Sequence, residues 1–399
     1  MPKKSTEQFF DENIGFLTRD VEELAKICPS VYNNYHSYSL KKVLAYNYWV
    51  GIFMPIVHNN LRLKHGYSIL FVDAMAGCGI TKTKDDIYFM GSCTSIARRD
   101  RYGGFDYVMA IELSDERRRV LRSRLEYLNP GLEIDFGCDA QSVGLDIITD
   151  LRNRFRRYKS ITIIDPQGFD GLEWNSLMGF MGCNGDAMIT WFENLAYLVA
   201  SEAIKENRES DTIDRIFGSS DWRNLWEDEI PDVDDFTNFF VNRILSCSNK
   251  CHHEMIDIED ANGKYYKVIL FVQSEKSISQ AREWKANLDK RTVNDIGTLL
   301  RKVLGKETDF GDFYQDLDSD EYVCRICNIR CNTKDKCEKH VLEKHYGYSF
   351  VCDTCGKKFE YKGGRGKKRC VNHIKEEHMG KEKKKNSLDD WVGGCKNEN

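Results

Sequence analysis

The stretch Phe71-Val72-Asp73-Ala74-Met75-Ala76-Gly77-Cys78-Gly79 decides how the rest of the chain is read. A short apolar run, Ser68 to Val72, ends in Asp73, and Ala76-Gly-x-Gly79 follows directly. Gly77 and Gly79 can take backbone angles closed to other residues and leave room for a ligand against the main chain. An acid closing a buried strand, followed by a glycine-rich turn, suits a nucleotide-like ligand at the C-terminal edge of a doubly wound α/β sheet. The order D-x-x-A-G-x-G, instead of G-x-G-x-x-G, argues against a dinucleotide. The alternative is a tight strand-to-loop turn in some other α/β protein.

Outward from this stretch, strands and helices alternate. The apolar runs Tyr107–Ile111, Leu132–Phe136, Ser160–Ile164 and Ala187–Phe192 read as buried parallel strands. Helices are expected between them, one opened by the capping-type run Ser114-Asp-Glu-Arg117. A late hairpin is expected where Glu254–Ile258 and Tyr265–Phe271 flank Ala261-Asn-Gly263. Five parallel strands plus an antiparallel hairpin, an α/β arrangement, resemble the strand inventory of Rossmann-type class I methyltransferases, and D-x-x-A-G-x-G resembles the first motif of those that use S-adenosylmethionine. Upstream, residues 1–66 read as an N-terminal helical extension. Its first 36 residues are polar and irregular, with a short amphipathic piece near Phe16 to Ala25, and a long helix runs from Leu40 to Leu63 with a buried aromatic stripe, Tyr46, Tyr48, Trp49 and Phe53. The domain proper is expected over 67–305, with a helical insertion at 196–246 capping the substrate side. An acidic linker (306–321), two finger-like units (322–346 and 349–379) and a basic tail (380–399) would complete the chain.

The acids at the strand ends divide the labour a bound S-adenosylmethionine (SAM) would require. Asp73, with Ala76 and the turn amides of Gly77 and Gly79, faces the methionine moiety. Glu112 is placed for the ribose hydroxyls. Asp139, after Gly137-Cys138, either accepts from the adenine amine or caps the next helix. Asp165-Pro166-Gln167-Gly168-Phe169 ends the fourth strand. It resembles the D-P-P-Y type motif of amino-methyltransferases, in which Asp165 and the carbonyls beside Pro166 would orient a target amine. Gln167 stands in place of the second proline, and Phe169 offers a stacking face. The alternative is a strand-to-helix turn without chemistry. None of the six prolines precedes a cysteine, so the Pro-Cys nucleophile of cytosine-C5 methyltransferases is absent.

Asp73-x-x-Ala-Gly-x-Gly79, Gly91-Ser92, Glu112, Gly137-x-Asp139-Ala140, Ile164-Asp-Pro-x-Gly168, Trp174 and Phe217-Gly-x-x-x-Trp222 follow in an order that resembles the three-Cys-motif partner protein (TcmP) family, over about residues 37–305. The resemblance implies a Rossmann methyltransferase fold more than any one reaction. The D-P-x-G run is also similar to the D-P-F-G of tRNA guanine-N2 dimethyltransferases, from which Gln167 departs.

Fifteen cysteines would suggest disulfides in a secreted chain, but eight lie between Cys324 and Cys395, interleaved with four of the nine histidines. Cys324-x2-Cys327-x12-His340-x4-His345 has Cys2His2 zinc-finger spacing, and Cys352-x2-Cys355-x17-His373-x4-His378 is a version with a longer loop. Four ligands leave no open position, so two structural zinc ions are expected. From Glu321 to Asn399 there are 19 Lys+Arg and 12 Asp+Glu, net +7, leaving −12 for the rest of a chain that totals −5. Lys334, Lys336 and Lys339, and Lys367, Lys368 and Arg369, suit phosphate contact more than base readout. The expected partner is nucleic acid, RNA ahead of DNA, with protein docking as the alternative. No run of ~18 apolar residues is present, so no membrane contact and a cytoplasmic site are expected, or a nuclear one in a eukaryotic cell. The function expected is SAM-dependent methylation of an exocyclic nucleic-acid amine. The rival is a binding adaptor with an inactive methyltransferase fold.

Overall fold

The computed structural model describes residues 13–34, 39–83, 87–98, 103–166, 168, 171, 173–207, 210–227, 230–260 and 263–290, together with the short strands 314–317, 321–324, 330–331, 349–351 and 358–360. Two compact units are distinguished, Met1–Asp260 with Lys264–Leu304, and Ala261–Gly263 with Gly305–Asn399.

The first unit is built on a seven-stranded sheet. Its strands are β1 (Ser68–Asp73), β2 (Tyr107–Ile111), β3 (Glu133–Gly137), β4 (Tyr158–Ile164), β5 (Gly185–Trp191), β6 (His252–Asp260) and β7 (Gly263–Val272). Their spatial order is β3-β2-β1-β4-β5-β7-β6. β1 to β5 run parallel, and β7 enters antiparallel beside β5, with Lys267 opposite Trp191. This is the strand inventory expected above, with the hairpin's second strand inserted between β5 and β6.

The side chains of each central strand alternate between two cores. On β1, Ile69 and Phe71 enter one and Leu70 and Val72 the other. The first core lies under α2 (Ser39–Val57), α3 (Ser92–Ala97), α4 (Asp115–Leu128) and α10 (Ile278–Leu288). The second lies under α5 (Ala140–Arg154) and α6 (Trp174–Met181). α2 is apolar on nearly all sides, as a helix does when it packs on the sheet and is itself covered. Trp284 Nε1 on α10 donates to Ala45 O at 2.9 Å, and Asn287 Nδ2 donates to Tyr48 Oη at 2.6 Å. The helical path continues through a π-turn, His58–Arg62, and stops at Gly66 in the left-handed conformation.

Local structure adds detail to the reading above at four points. The amphipathic piece near Phe16 to Ala25 is more extensive than expected: residues 13–18 and α1 (Val21–Ile27) are helical and bury Ile14, Leu17, Val21 and Leu24. After Gly79 the chain forms two short strands. Ile80–Lys82 pairs antiparallel with Tyr88–Met90 and parallel with Asn33–Asn34, in strands too short to show a period in sequence. The insertion is built into the second layer of the sheet. α7 (Glu193–Lys205), α8 (Asp211–Phe217) and α9 (Val233–Cys247) join the second layer, where Phe217, Trp222, Phe236 and Phe240 are fully buried. Trp191 on β5 stacks on Phe240 at 4.0 Å between centroids, so an aromatic face that could close a pocket is consumed by the core. Finally, the acidic segment read as a linker contributes a strand, Tyr314–Leu317, paired with Glu321–Cys324.

In the second unit Glu321–Cys324 also pairs with Arg330–Cys331, and Ser349–Val351 pairs with Lys358–Glu360. Of the eight expected zinc ligands only Cys324 lies on a described strand. Cys327, His340, His345, Cys352, Cys355, His373 and His378 lie outside the described residues.

Candidate active site at the strand tips

The register brings the ends of β1, β2 and β4 to one edge. Asp73 is level with Ala110 and Ile163, so Glu112 and Asp165 each stand two residues further out. Backbone bonds lace the tips together: Ala74 N donates to Ile163 O at 2.9 Å, Ala76 N to Ile111 O at 2.8 Å and Glu112 N to Gly137 O at 3.1 Å.

Strand alternation puts Asp73 on the α2/α3 side, in line with Ile69 and Phe71. There it is fully buried. Oδ2 accepts from Ser92 Oγ at 2.7 Å and Oδ1 from Met75 N at 3.3 Å. Burial pushes its carboxyl up to about 7; the bond from Ser92 works against that shift, while the charge of Asp165 reinforces it. The glycine turn follows with φ of +63° at Gly77 and +91° at Gly79. At Gly79 a Cβ would meet Thr94 Cγ2 at 2.5 Å and Leu121 Cδ1 at 3.0 Å, so α3 and α4 approach that backbone closely. Thr94 Oγ1 also donates to Gly79 O.

Asp165 projects to the same side as Ile161 and Ile163. It meets Lys42 in the first turn of α2, whose Nζ lies 2.8 Å from Oδ1 and 2.7 Å from Oδ2. Thr190 Oγ1 on β5 donates to Oδ1 at 2.7 Å, and Tyr46 Oη, one turn after Lys42, lies 2.6 Å from Thr190 Oγ1. Burial raises the Tyr46 phenol well above its ordinary value, with Asp165 adding to the shift. Lys42 Nζ also stands 5.7 Å from the centre of the Tyr266 ring. A carboxylate offers about four lone-pair directions. Described residues take three of those of Asp165, and none of them takes the fourth, on Oδ2.

Glu112 is half-buried; its Oε1 accepts from Ser114 N at 2.9 Å, and no described residue donates to Oε2. Asp139 caps α5, as the alternative reading had it. Oδ1 accepts from Gln141 N at 3.1 Å, and Oδ2 from Ser142 N at 3.1 Å and Ser142 Oγ at 2.6 Å. These bonds, the one from Ser142 Oγ first, hold its carboxyl below the usual range. Pro166 is buried; Gln167 and Phe169 lie outside the described residues. A groove of about 870 Å³ has Trp174, Asp211, Asp214 and Arg215 among its walls, and none of Asp73, Glu112, Asp139 and Asp165 lines it.

Sequence reasoning missed Lys42 and Thr190. The usable signal was parity: Asp165 and Thr190 each lie two residues beyond core positions, Ile163 and Met188, of one sheet face.

The edge suits a nucleoside-bearing cofactor by two observations: the main chain of a left-handed Gly77, and a half-exposed Glu112 with one oxygen that no described residue engages. Among the described residues no three His, Cys, Asp or Glu side chains converge on a metal position. None of the described helices is long and apolar enough to cross a membrane.

No protein-family model matches the chain, and a search of curated proteins finds no significant match, so the TcmP resemblance rests on its motifs. Solved structures do match. An O-methyltransferase from Bacillus cereus in complex with SAH is 14% identical at TM-score 0.30, covering 65% of this chain and 99% of its own. Trm1 from Pyrococcus horikoshii with S-adenosyl-L-methionine is 11% identical at TM-score 0.31, covering 64% of this chain and 59% of its own. PKMT2 from Rickettsia typhi in complex with AdoHcy is 9% identical at TM-score 0.29, covering 90% and 96%. At these scores the fold assignment rests on strand order and direction.

Proposed function

We propose that the chain is a SAM-dependent methyltransferase acting on an exocyclic amine of a nucleic acid, RNA ahead of DNA, which the C-terminal units deliver. The observation that carries it is the convergence of Asp73, Glu112 and Asp165 on one edge of a sheet ordered 3-2-1-4-5-7-6. When bound, SAM supplies an electrophilic methyl group. The glycine turn after β1 would line the methionine half, and Asp73, placed behind it, would favour the ammonium once ionised. Glu112 Oε2 would accept from a ribose hydroxyl, and the remaining lone pair of Asp139 Oδ1 from the adenine amine.

The open lone pair of Asp165 Oδ2 would take one N–H of the target amine and turn its nitrogen lone pair outward. Lys42 and Thr190 fix that carboxylate in place, so its contribution is positioning. Pro166 sets the turn that presents it, with Gln167 and the stacking face of Phe169 following in sequence. Two structural zinc ions held by Cys324, Cys327, His340 and His345, and by Cys352, Cys355, His373 and His378, would order the nucleic-acid-binding units.

The test is calorimetric titration of SAM into the whole protein. It is followed by incubation with labelled SAM and pooled RNA or DNA, and nucleoside mass spectrometry. Binding with a labelled base, lost in Asp165→Ala, supports the reading; absence of binding removes it. One observation favours the rival adaptor: Lys42 already holds both oxygens of Asp165, as a target amine would. SAM binding without transfer, alongside salt-sensitive RNA binding that survives Asp165→Ala, would select that reading, with a protein partner as the alternative ligand.

A further inference from the structure

The segment preceding α2 is built onto the glycine turn. Arg124 on α4 is fully buried and donates to three carbonyls of the segment and one of the turn: Leu24 O at 3.0 Å, Cys28 O at 3.1 Å, Val31 O at 2.8 Å and Cys78 O at 2.7 Å. Asn33 then pairs with Thr81 and Asn34 with Lys82. Lys82 Nζ lies 5.2 Å from the Tyr32 ring and 5.6 Å from the Tyr88 ring, closing the join from the other side.

This docking lays the Asn33 carboxamide across Gly77. A Cβ there would sit 2.9 Å from both Asn33 Nδ2 and Oδ1. Asn33 Oδ1 accepts from Cys78 N at 3.4 Å, and Cys78 Sγ lies at the same distance. Nδ2 therefore carries the free valence, and no described residue accepts from it. A neutral donor beside the backbone where a cofactor's methionine half would lie suits an anionic group, and SAM carries one such group, its α-carboxylate.

Resting on the reading above, we propose that Asn33 is a cofactor-contacting residue, supplied by the N-terminal arm, whose Nδ2 donates to the α-carboxylate of SAM. Glu112, an acceptor, takes the ribose end. The arm is then part of the binding site, and Gly77 is glycine partly because Asn33 lies on it.

The experiment compares SAM with 5′-methylthioadenosine, which keeps the adenosine but lacks the amino-carboxylate. Both are titrated calorimetrically into the whole wild-type protein, Asn33→Ala and Asn33→Asp. A hydrogen bond to a charged group is worth about 1.5–3 kcal/mol, or roughly 10- to 100-fold in affinity. Asn33→Ala should weaken SAM by that factor and leave 5′-methylthioadenosine within about twofold. Asn33→Asp should weaken SAM further, because like charges then face each other. Equal weakening of both ligands in Asn33→Ala would mean only the turn had been disturbed, and would overturn the proposal. So would an unchanged SAM affinity, and either result leaves the methyltransferase reading standing. A wild type that binds neither ligand removes that reading and this inference together.

Discussion

Replacing Arg124 with methionine tests the junction on which the glycine turn depends. Its guanidinium is fully buried and donates to four main-chain carbonyls, on α1, at both ends of the Cys28–Val31 turn after it and on the glycine turn. Burial pulls its ionisation below the ordinary arginine range, the mark of a desolvated charge held by dipoles. A buried acceptor left without a donor costs about 1–3 kcal/mol, and Cys28 O keeps the Val31 amide, so the other three at the lower bound cost about 3 kcal/mol. Some of this is recovered because methionine buries no charge and fills much of the same volume. The net expectation is a loss of about 2–3 kcal/mol. Arg124→Lys should lose about half as much, since one ammonium cannot span four carbonyls. Urea unfolding followed by the fluorescence of buried Trp49, Trp222 and Trp284 gives the free energy. Hydrogen exchange locates the loss: the Leu24 and Val31 amides, bonded to Asp20 O and Cys28 O, should lose protection while Leu177, on the far face of the sheet, keeps it. An unfolding free energy within 0.5 kcal/mol of wild type, with unaltered exchange over residues 24–34, would refute the clamp.

Asp73 makes stability depend on pH. Its folded pKa is raised from 3.8 to about 7, so the folded state holds a proton that the unfolded state has released. Stability should therefore fall as pH rises from about 4 to about 7, by an amount on the order of 4 kcal/mol, and level off above. Asp73→Asn should flatten that profile in urea unfolding series at several pH values. Thr190→Val should cost about 1–3 kcal/mol, because Tyr46 Oη and Asp165 Oδ1 both lose the hydroxyl between them. A thermal melt reads this loss, and Thr190→Ser should restore most of it. Gly79→Ala should lower the melting temperature sharply, since its φ of +91° and a Cβ at 2.5 Å from Thr94 Cγ2 combine strain with overpacking. Gly131→Ala, in open space at ordinary φ, is the control.

The sheet was legible because its strands are apolar runs with punctuated ends, and because Asn262-Gly263 marks a hairpin that no parallel connection would use. The tips were legible for the same reason: an acid at the end of an apolar run stands out. Partnerships were not. Lys42 and Asp165 are 123 positions apart, and nothing local tells a surface lysine from one bent over a sheet edge. Asp139 shows the reverse limit, since a helix-capping acid and an adenine acceptor occupy the same position in sequence and only the bonds to Gln141 and Ser142 reveal the cap. The aromatics of the insertion declared that some face is buried. They could not say which layer buries it, because helical spacing carries no information about the partner surface.

The clasp between α2 and α10 bears on how the chain is made. Trp284 and Asn287 reach Ala45 and Tyr48 across 239 positions, and β7 takes its place beside β5 only after more than 70 intervening residues. A nascent chain emerging from the ribosome must carry α2 with one apolar flank uncovered until its last helical partner has been synthesised. Such a polypeptide is exposed to chaperones and proteases for most of its translation, and cannot close its first core before α10 has left the exit tunnel.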